Sequence, residues 1–178
     1  MSPAIEVEIR SFISEAQYHQ LLNFFQNNAI LDKEDEQISY YFDSPQDLRI
    51  QKNKFHAKIW LKKGKLHDDH REEIEVIVPQ NDFEKLETLF LALGYHVNIK
   101  WFRTRHQFIW NEITVTVDYT KGYGHILELE IMSSEEKKNE SLNLLKQKMS
   151  ELQISETPKL EFDEKYQYYK EHWQELMG

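Results

Sequence analysis

The sequence predicts an α+β fold in which an antiparallel sheet of about eight strands closes into a barrel, with amphipathic helices packed outside. Two observations predict it. Segments that alternate apolar and charged residues recur along the chain, and capped amphipathic segments follow several of them. The charged faces are also sorted by sign, so that some strands carry acids and others carry bases. Opposed acidic and basic faces inside a barrel explain this sorting; an open sheet with solvated polar faces is the alternative.

Length and composition favour one domain over residues 1–178. Hydrophobic residues make up 40% of the chain, which is enough for a substantial core, and no stretch reads as a linker. The formal net charge of −9 argues against a nucleic-acid surface, and the absence of cysteine excludes disulfides and thiolate metal sites. Neither a secretory signal nor an apolar run of membrane-spanning length is visible. We therefore expect a cytoplasmic protein that binds neither nucleic acid nor membrane.

The first predicted strand spans residues 5–10 and carries Glu6, Glu8 and Arg10 on one face, opposite three apolar residues. Glu6 and Glu8 lie roughly 6.5 Å apart and repel by roughly 2–3 kcal/mol at an effective dielectric near 20. The same Glu-x-Glu alternation recurs at Glu73 and Glu75 and at Glu128 and Glu130. Three such strands in one small domain predict that their carboxylates converge on a cation.

A helix is predicted directly after the first strand, because Ser14 and Gln17 have the spacing of a capping box. It is expected to end near Asn27. The later strands are predicted from runs of β-forming residues between turn residues. They span residues 36–43, 55–62, 71–78, 99–110, 113–119 and 126–131. Further helices are predicted to start at Asn81 or Asp82, at Ser133 or Ser134, and after Pro158.

Basic residues are grouped on two of these strands. Lys58 and Lys62 share one strand face with Trp60, whose ring could stack on a base or fill space in the barrel. Arg103 and Arg105 share one face of a later strand. We expect both groups to line the same enclosed channel as the acids.

The polar loop at residues 64–70 contains the run His67–His70, with two histidines around two aspartates. This composition allows a metal-binding tract. An exposed loop, at the mouth of the barrel, is the simpler interpretation because the run follows Gly64 and lies among polar residues.

The order of these motifs resembles the CYTH family, the triphosphate tunnel metalloenzymes. The family's hallmark is Glu-x-Glu-x-Lys on the first strand, which here reads Glu6, Glu8 and Arg10. Four further segments resemble family signatures: Tyr41 to Pro45, Arg71 to Glu75, Arg103-x-Arg105, and Asp118 through Glu128-x-Glu130. Lys165, which precedes Tyr166, loosely matches a basic residue of the family, and Trp60 stands where the family usually has an arginine.

The resemblance implies a triphosphate site with Mg²⁺ or Mn²⁺, ions that favour the hard carboxylate oxygens present here. The implied metal ligands are Glu6, Glu8, Glu73, Glu75, Asp118, Glu128 and Glu130. The implied substrate-binding residues are Arg10, Lys58, Lys62, Arg71, Arg103, Arg105 and Lys165. The implied catalytic residues are Glu6, Glu8, Arg10 and Asp118.

Two functions follow from the resemblance, and a third comes from a different class and is favoured by Trp60, because fewer bases then line the site. The first is a metal-dependent triphosphatase that hydrolyses inorganic triphosphate or a small organic triphosphate such as thiamine triphosphate or ATP. The second is a class IV adenylyl cyclase that makes cyclic AMP and pyrophosphate from ATP. The third is a non-catalytic module that binds polyphosphate or nucleotide. We expect a monomer or a homodimer in each case.

Overall fold

The computed structural model of the chain describes residues 5–62 and 73–178, apart from the side chain of Glu73. The strands are β1 (Ile5–Ile13), β2 (Ile30–Phe42), β3 (Asp47–Lys52), β4 (Ala57–Lys62), β5 (Glu73–Val78), β6 (Val97–Trp110), β7 (Ile113–Thr120) and β8 (Gly124–Ser133). The α-helices are α1 (Glu15–Asn28), α2 (Phe83–Ala92), α3 (Lys138–Glu151) and α4 (Lys159–Met177). Short 3₁₀ turns at Gln80–Asp82 and Glu135–Lys137 precede α2 and α3.

The strands form one antiparallel sheet in the order β1-β8-β7-β6-β2-β3-β4-β5, which confirms the α+β class and the strand number. Among the residues described, hydrogen bonds do not close this order into a barrel, because β1 and β5 stand at its two ends. The closed barrel with a charged interior stays a prediction of the sequence.

One strand, β3, was not predicted from the sequence. Its residues, Asp47–Lys52, are mostly polar and directly follow a turn, so their local β signal is weak. Pairing with β2 on one side and β4 on the other makes them a strand, and Leu48 and Ile50 are buried as a result.

The predicted capping box at Ser14 is confirmed. The Ser14 hydroxyl accepts a hydrogen bond from the Gln17 amide at 3.2 Å, and the Gln17 side chain accepts one from the Ser14 amide at 2.8 Å. The predicted caps of α2 and α3 differ, because a 3₁₀ turn precedes each of these two helices. Asp82 makes no side-chain cap bond and pairs with Lys85 at 2.6 Å instead, and Ser133 bonds to Ser141 at 2.8 Å.

The chain divides into two compact units. The first comprises Met1–Glu34 and Thr104–Tyr169. In it, α1 packs on β7 and β8, while α3 packs on β1 and β8. Its core consists of apolar residues from these strands and helices, including Val7, Ile9, Phe25, Phe108, Val115, Val117, Leu127, Leu129 and Leu145.

The second unit comprises Asp35–Arg103 and Lys170–Gly178. There α2 packs on β3 and β4. The core of this unit contains Phe42, Leu48, Ile50, Ala57, Phe83, Leu86 and Phe90. In the described part of the chain, no helix combines the length and the apolar character needed to cross a membrane.

Candidate functional site

The charged face of β1 forms one side of the candidate site. Val7 and Ile9 are buried in the core of the first unit, so Glu6 and Glu8, which alternate with them along the strand, project from the opposite face of the sheet. Arg10 follows on this face and is partly buried. The predicted alternation of the first strand is therefore confirmed.

Strand register brings the acids of β1 and β8 together. Glu8 lies directly opposite Glu130, and Arg10 lies opposite Glu128. On the other side of β8, Thr116 of β7 is the partner of Glu128. Neighbouring strands are only ~4.8 Å apart, so these side chains share one surface of the sheet.

Three carboxylates meet at this surface. Glu8, Glu128 and Glu130 each place one oxygen within 4.8 Å of the oxygens of the other two. Glu8 is exposed, whereas Glu128 and Glu130 are partly buried. Glu6 is exposed beside this cluster and is close enough to raise the pKa of Glu130 by repulsion.

The repulsion and burial of these acids shift their pKa values upward. Burial raises the pKa of Glu128 to about 7, and the negative charge of Glu8 adds to this rise. The positive charges of Arg105 and Arg10 oppose it. Burial, followed by the charges of Glu6 and Glu8, also raises the pKa of Glu130. Without a metal ion, the fully ionised cluster is therefore energetically unfavourable at neutral pH.

Arg105 and Asp118 form a partly buried ion pair next to the cluster. Arg105 donates from Nε and Nη2 to the Asp118 carboxylate, with the shortest contact at 2.7 Å. Asp118 is nearly inaccessible, with 7% of its side chain exposed. Burial opposes the charge of Arg105, but the neighbouring carboxylates of Asp118, Glu128 and Glu130 raise its pKa overall. The structure thus gives Asp118 a guanidinium partner.

Arg10 and Lys165 rest on aromatic rings. The Arg10 guanidinium carbon lies 4.7 Å from the centroid of the Phe162 ring. The Lys165 ammonium lies 3.9 Å from the centroid of Phe12 and 5.7 Å from that of Tyr123. Burial lowers the pKa of Lys165.

The remaining described candidates belong to the second unit. Lys58 donates to Glu75 at 2.6 Å, and the Lys58 and Lys62 ammonium groups lie 4.3 and 4.1 Å from the Trp60 ring centroid. Arg103 donates to the Gln37 side-chain oxygen at 3.0 Å and 2.6 Å. Three residues that contact predicted site residues were not themselves predicted, because neither a motif nor a strand pattern marks them. Gln37 accepts from Arg103, Arg49 lies over the Trp60 ring, and Phe162 lies against Arg10.

Some predicted residues lie outside the described part of the chain. These are Arg71, the side chain of Glu73 and the run His67–His70. Their roles stay predictions.

The raised pKa of Glu128 predicts how pH changes the stability of the metal-free protein. Between its usual value of 4.5 and about 7, the folded protein holds a proton that the unfolded chain has released. Stability therefore falls as pH rises through this window. After allowance for solvent screening of a partly exposed side chain, we expect a loss of about 2 kcal/mol between pH 5 and pH 8.

Urea unfolding in excess EDTA at both pH values measures this loss. Glu128→Gln should remove about 2 kcal/mol of the pH dependence and be more stable than the wild type at pH 8. Identical pH profiles of the two proteins would show that Glu128 is not held at a raised pKa.

Comparisons with known proteins agree with this fold. The family model of the CYTH domain matches residues 4–162. No curated protein matches the chain. The chain is 25% identical to a conserved hypothetical protein from Pyrococcus furiosus, with a TM-score of 0.66 over 84% of this chain and 91% of that one.

Two further solved structures are similar to the chain. A protein from Pyrococcus horikoshii is 22% identical, with a TM-score of 0.68 over 87% of this chain and 96% of that one. A candidate adenylyl cyclase from Hippeastrum, described as having a dominant triphosphatase activity, is 18% identical, with a TM-score of 0.63 over 89% and 93% of the two chains. At these identities the similarity to both proteins shows the fold.

Proposed function

Because the chain belongs to the CYTH domain family, whose model matches residues 4–162, we propose that it is a divalent-metal-dependent triphosphatase. Its substrate is inorganic triphosphate or a small organic triphosphate, and residues 1–178 act as a single domain. One observation carries the proposal: the carboxylates of Glu8, Glu128 and Glu130 converge beside the charges of two arginines.

The carboxylate cluster fits Mg²⁺ or Mn²⁺. Both ions bind hard oxygen ligands, and ligand oxygens around an octahedral Mg²⁺ lie up to about 4.2 Å apart. The three carboxylates bring one oxygen each to within 4.8 Å of the others, so small side-chain movements allow them to hold one ion. Water and phosphate oxygens complete the ligand set of such ions.

The charge balance of the first unit also favours a bound cation. Like charges directly opposite each other on neighbouring strands destabilise a sheet, and Glu8 faces Glu130 in this way. The guanidinium charges of Arg10 and Arg105 only partly offset the repulsion, since the pKa of Glu128 remains raised to about 7. A divalent cation held by these carboxylates would neutralise the remaining negative charge.

The arginines bind the substrate phosphates in this proposal. The guanidinium plane of Arg10 can donate two parallel hydrogen bonds to one phosphate group. Arg105 uses Nε and Nη2 for Asp118, which leaves Nη1 to donate to a phosphate oxygen. Asp118 orients Arg105 through these hydrogen bonds, and its predicted role as a metal ligand is retained as a secondary proposal.

Hydrolysis requires a water molecule in line with the phosphorus–oxygen bond that breaks. Glu6 lies on the same strand face as Glu8 but outside the three-carboxylate cluster, and it is exposed. We assign to Glu6 the orientation of this water by accepting its hydrogen bond. A bound Mg²⁺ or Mn²⁺ supplies neutralisation of the charge on the phosphate oxygens during transfer.

The roles of the other predicted residues are proposed from the sequence alone. Lys58, Lys62, Arg71, Arg103 and Lys165 are proposed to bind the substrate, and Glu73 and Glu75 to hold a second ion. A cytoplasmic location is proposed as well.

A class IV adenylyl cyclase is the second candidate function. It is favoured by the similarity to the Hippeastrum protein, which is described both as a candidate adenylyl cyclase and as having a dominant triphosphatase activity. The same residues would then hold ATP while the ribose 3′-hydroxyl attacks the α-phosphate and pyrophosphate leaves.

Product analysis tests the proposal. Purified protein is incubated with inorganic triphosphate, thiamine triphosphate or ATP, each with Mg²⁺, Mn²⁺ or EDTA. We expect phosphate release from at least one substrate with a metal ion and none with EDTA, because the carboxylate cluster needs a cation to hold phosphate. Cyclic AMP formed from ATP would favour the cyclase. Tight binding without turnover would favour a non-catalytic binder, and either result alone would contradict a triphosphatase.

A further inference from the structure

We propose that Phe162 is a positioning residue whose ring holds the guanidinium of Arg10 in the orientation in which Arg10 binds a phosphate group. The guanidinium carbon lies 4.7 Å from the centroid of this ring. The inference rests on the proposed function, because it concerns how the substrate anion is held.

The two arginines of the first unit are held in different ways. Arg105 is fixed by three hydrogen bonds to the Asp118 carboxylate. Within residues 5–62 and 73–178, the Arg10 guanidinium makes no hydrogen bond or ion pair. Its N–H donors are therefore available for a ligand, and the Phe162 ring is what fixes its plane.

That Arg10 forms no ion pair with any described residue is informative, because carboxylates lie close by. Arg10 is opposite Glu128 in the β1–β8 register, and its charge lowers the pKa of Glu128. A guanidinium so near a carboxylate normally forms a bidentate pair with it. Stacking on Phe162 holds Arg10 near Glu128 without such a pair, which keeps its hydrogen-bond donors for the phosphate.

The Phe162 ring is itself fixed by a second ring. Phe162 stacks on Phe12, with centroids 4.2 Å apart and planes 24° apart. Phe12 follows Arg10 by two residues and so lies on the same face of β1. The Phe12 ring also contacts Tyr123 edge-on, with centroids 5.4 Å apart, and the Lys165 ammonium lies 3.9 Å from the Phe12 centroid. With 6% of its surface exposed, Phe162 has little room to move.

Hydrogen bonds tie the segment just before α4 to β1, and this brings Phe162 against Arg10. The Thr157 hydroxyl accepts a hydrogen bond from the Phe12 amide at 2.9 Å and lies 2.9 Å from the Ser11 hydroxyl. Pro158 then accepts from the Phe162 amide at 3.3 Å, in the first turn of the helix. The ring therefore reaches Arg10 through a short and well-connected segment of the chain.

Kinetics of Phe162 variants test the inference. Phe162→Leu removes the ring face and is expected to raise the KM for inorganic triphosphate about fivefold, the equivalent of ~1 kcal/mol of cation–π stabilisation, with kcat within about twofold. Phe162→Tyr keeps the ring face and should restore a KM close to that of the wild type. With Arg10→Gln, which leaves no cation for the ring to hold, Phe162→Leu should change KM by less than about twofold.

A matched control separates positioning from general loss of packing. Phe25 is a fully buried phenylalanine in the core of the same unit, and it contacts Phe108 rather than Arg10. Phe25→Leu should lower stability and leave KM unchanged. An equal rise of KM in Phe25→Leu, or an unchanged KM in Phe162→Leu, would overturn the positioning role.

A spectroscopic readout does not depend on activity. The Nε–H resonance of Arg10, identified by its loss in Arg10→Lys, should be shifted upfield by the Phe162 ring current in the wild-type ¹⁵N spectrum. An unshifted resonance overturns the stacking contact. A shifted resonance in a protein that neither binds nor hydrolyses triphosphate instead overturns the proposed function, and with it the phosphate-binding part of the inference.

Discussion

Replacing Glu128 with glutamine is expected to lower metal-dependent triphosphate turnover by at least about 100-fold while the fold stays intact. Glutamine has nearly the same shape as glutamate but lacks the negative charge that a divalent cation needs from this position. Glu128 lies in the carboxylate cluster and opposite Arg10, so its loss affects both the ion and the charge balance around the phosphate. Steady-state kinetics over a range of Mg²⁺ and Mn²⁺ concentrations measure the effect, and circular dichroism checks the fold.

The sign of the stability change distinguishes a functional from a structural role of Glu128. Because burial and Glu8 raise its pKa to about 7, the same substitution should stabilise the metal-free protein at pH 8. If Glu128 served only to pack the fold, its replacement would instead lower the stability of the protein. Glu112→Gln is the matched control, since Glu112 is exposed at the turn between β6 and β7. Wild-type rates for Glu128→Gln at every metal concentration would disprove the metal-binding role.

Asp118→Asn is expected to cost about 3 kcal/mol of unfolding free energy and to abolish most activity. Arg105 would lose the charge of its partner while most of its side chain stays inaccessible, with 22% exposed. A partly buried guanidinium that has lost its hydrogen-bonded counter-charge is unfavourable, and its misplacement also removes a proposed phosphate ligand. Urea unfolding at pH 7, with and without metal ion, measures the cost in stability.

Two comparisons test this explanation of Asp118. Asp43→Asn removes the charge from the exposed pair between Asp43 and His96, whose contact is 2.9 Å, and should cost clearly less stability than Asp118→Asn. The double variant Arg105→Met with Asp118→Leu removes both charges and should recover most of the stability without activity. A loss below about 1 kcal/mol in Asp118→Asn would show that the pair contributes little to folding.

Much of the fold could be predicted from local patterns. The alternation of residues 5–10 identified β1 and its two faces, and the spacing of Ser14 and Gln17 identified the start of α1. Strand β3 was missed because its six polar-rich residues acquire their structure from pairing with β2 and β4. Local propensity carries no information about such partners.

The candidate site was predicted less completely. Of the acids predicted as metal ligands, Glu8, Glu128 and Glu130 meet in one cluster. Two others have basic partners, Asp118 with Arg105 and Glu75 with Lys58. A carboxylate on a polar strand face looks the same in the sequence whether it serves an ion or an arginine, so only its neighbours distinguish the two roles.

By itself, the sequence determined which side chains point away from the core, because side-chain direction repeats every two residues along a strand and about every 3.6 residues along a helix. It also determined the family, through the order of its acidic and basic motifs. The tertiary structure decided that Glu8 faces Glu130 and that the Phe162 ring lies against the Arg10 guanidinium. Strand register and helix docking set these contacts between residues far apart in the chain, and a shift of one residue in register would turn the carboxylates of β1 and β8 to opposite faces of the sheet.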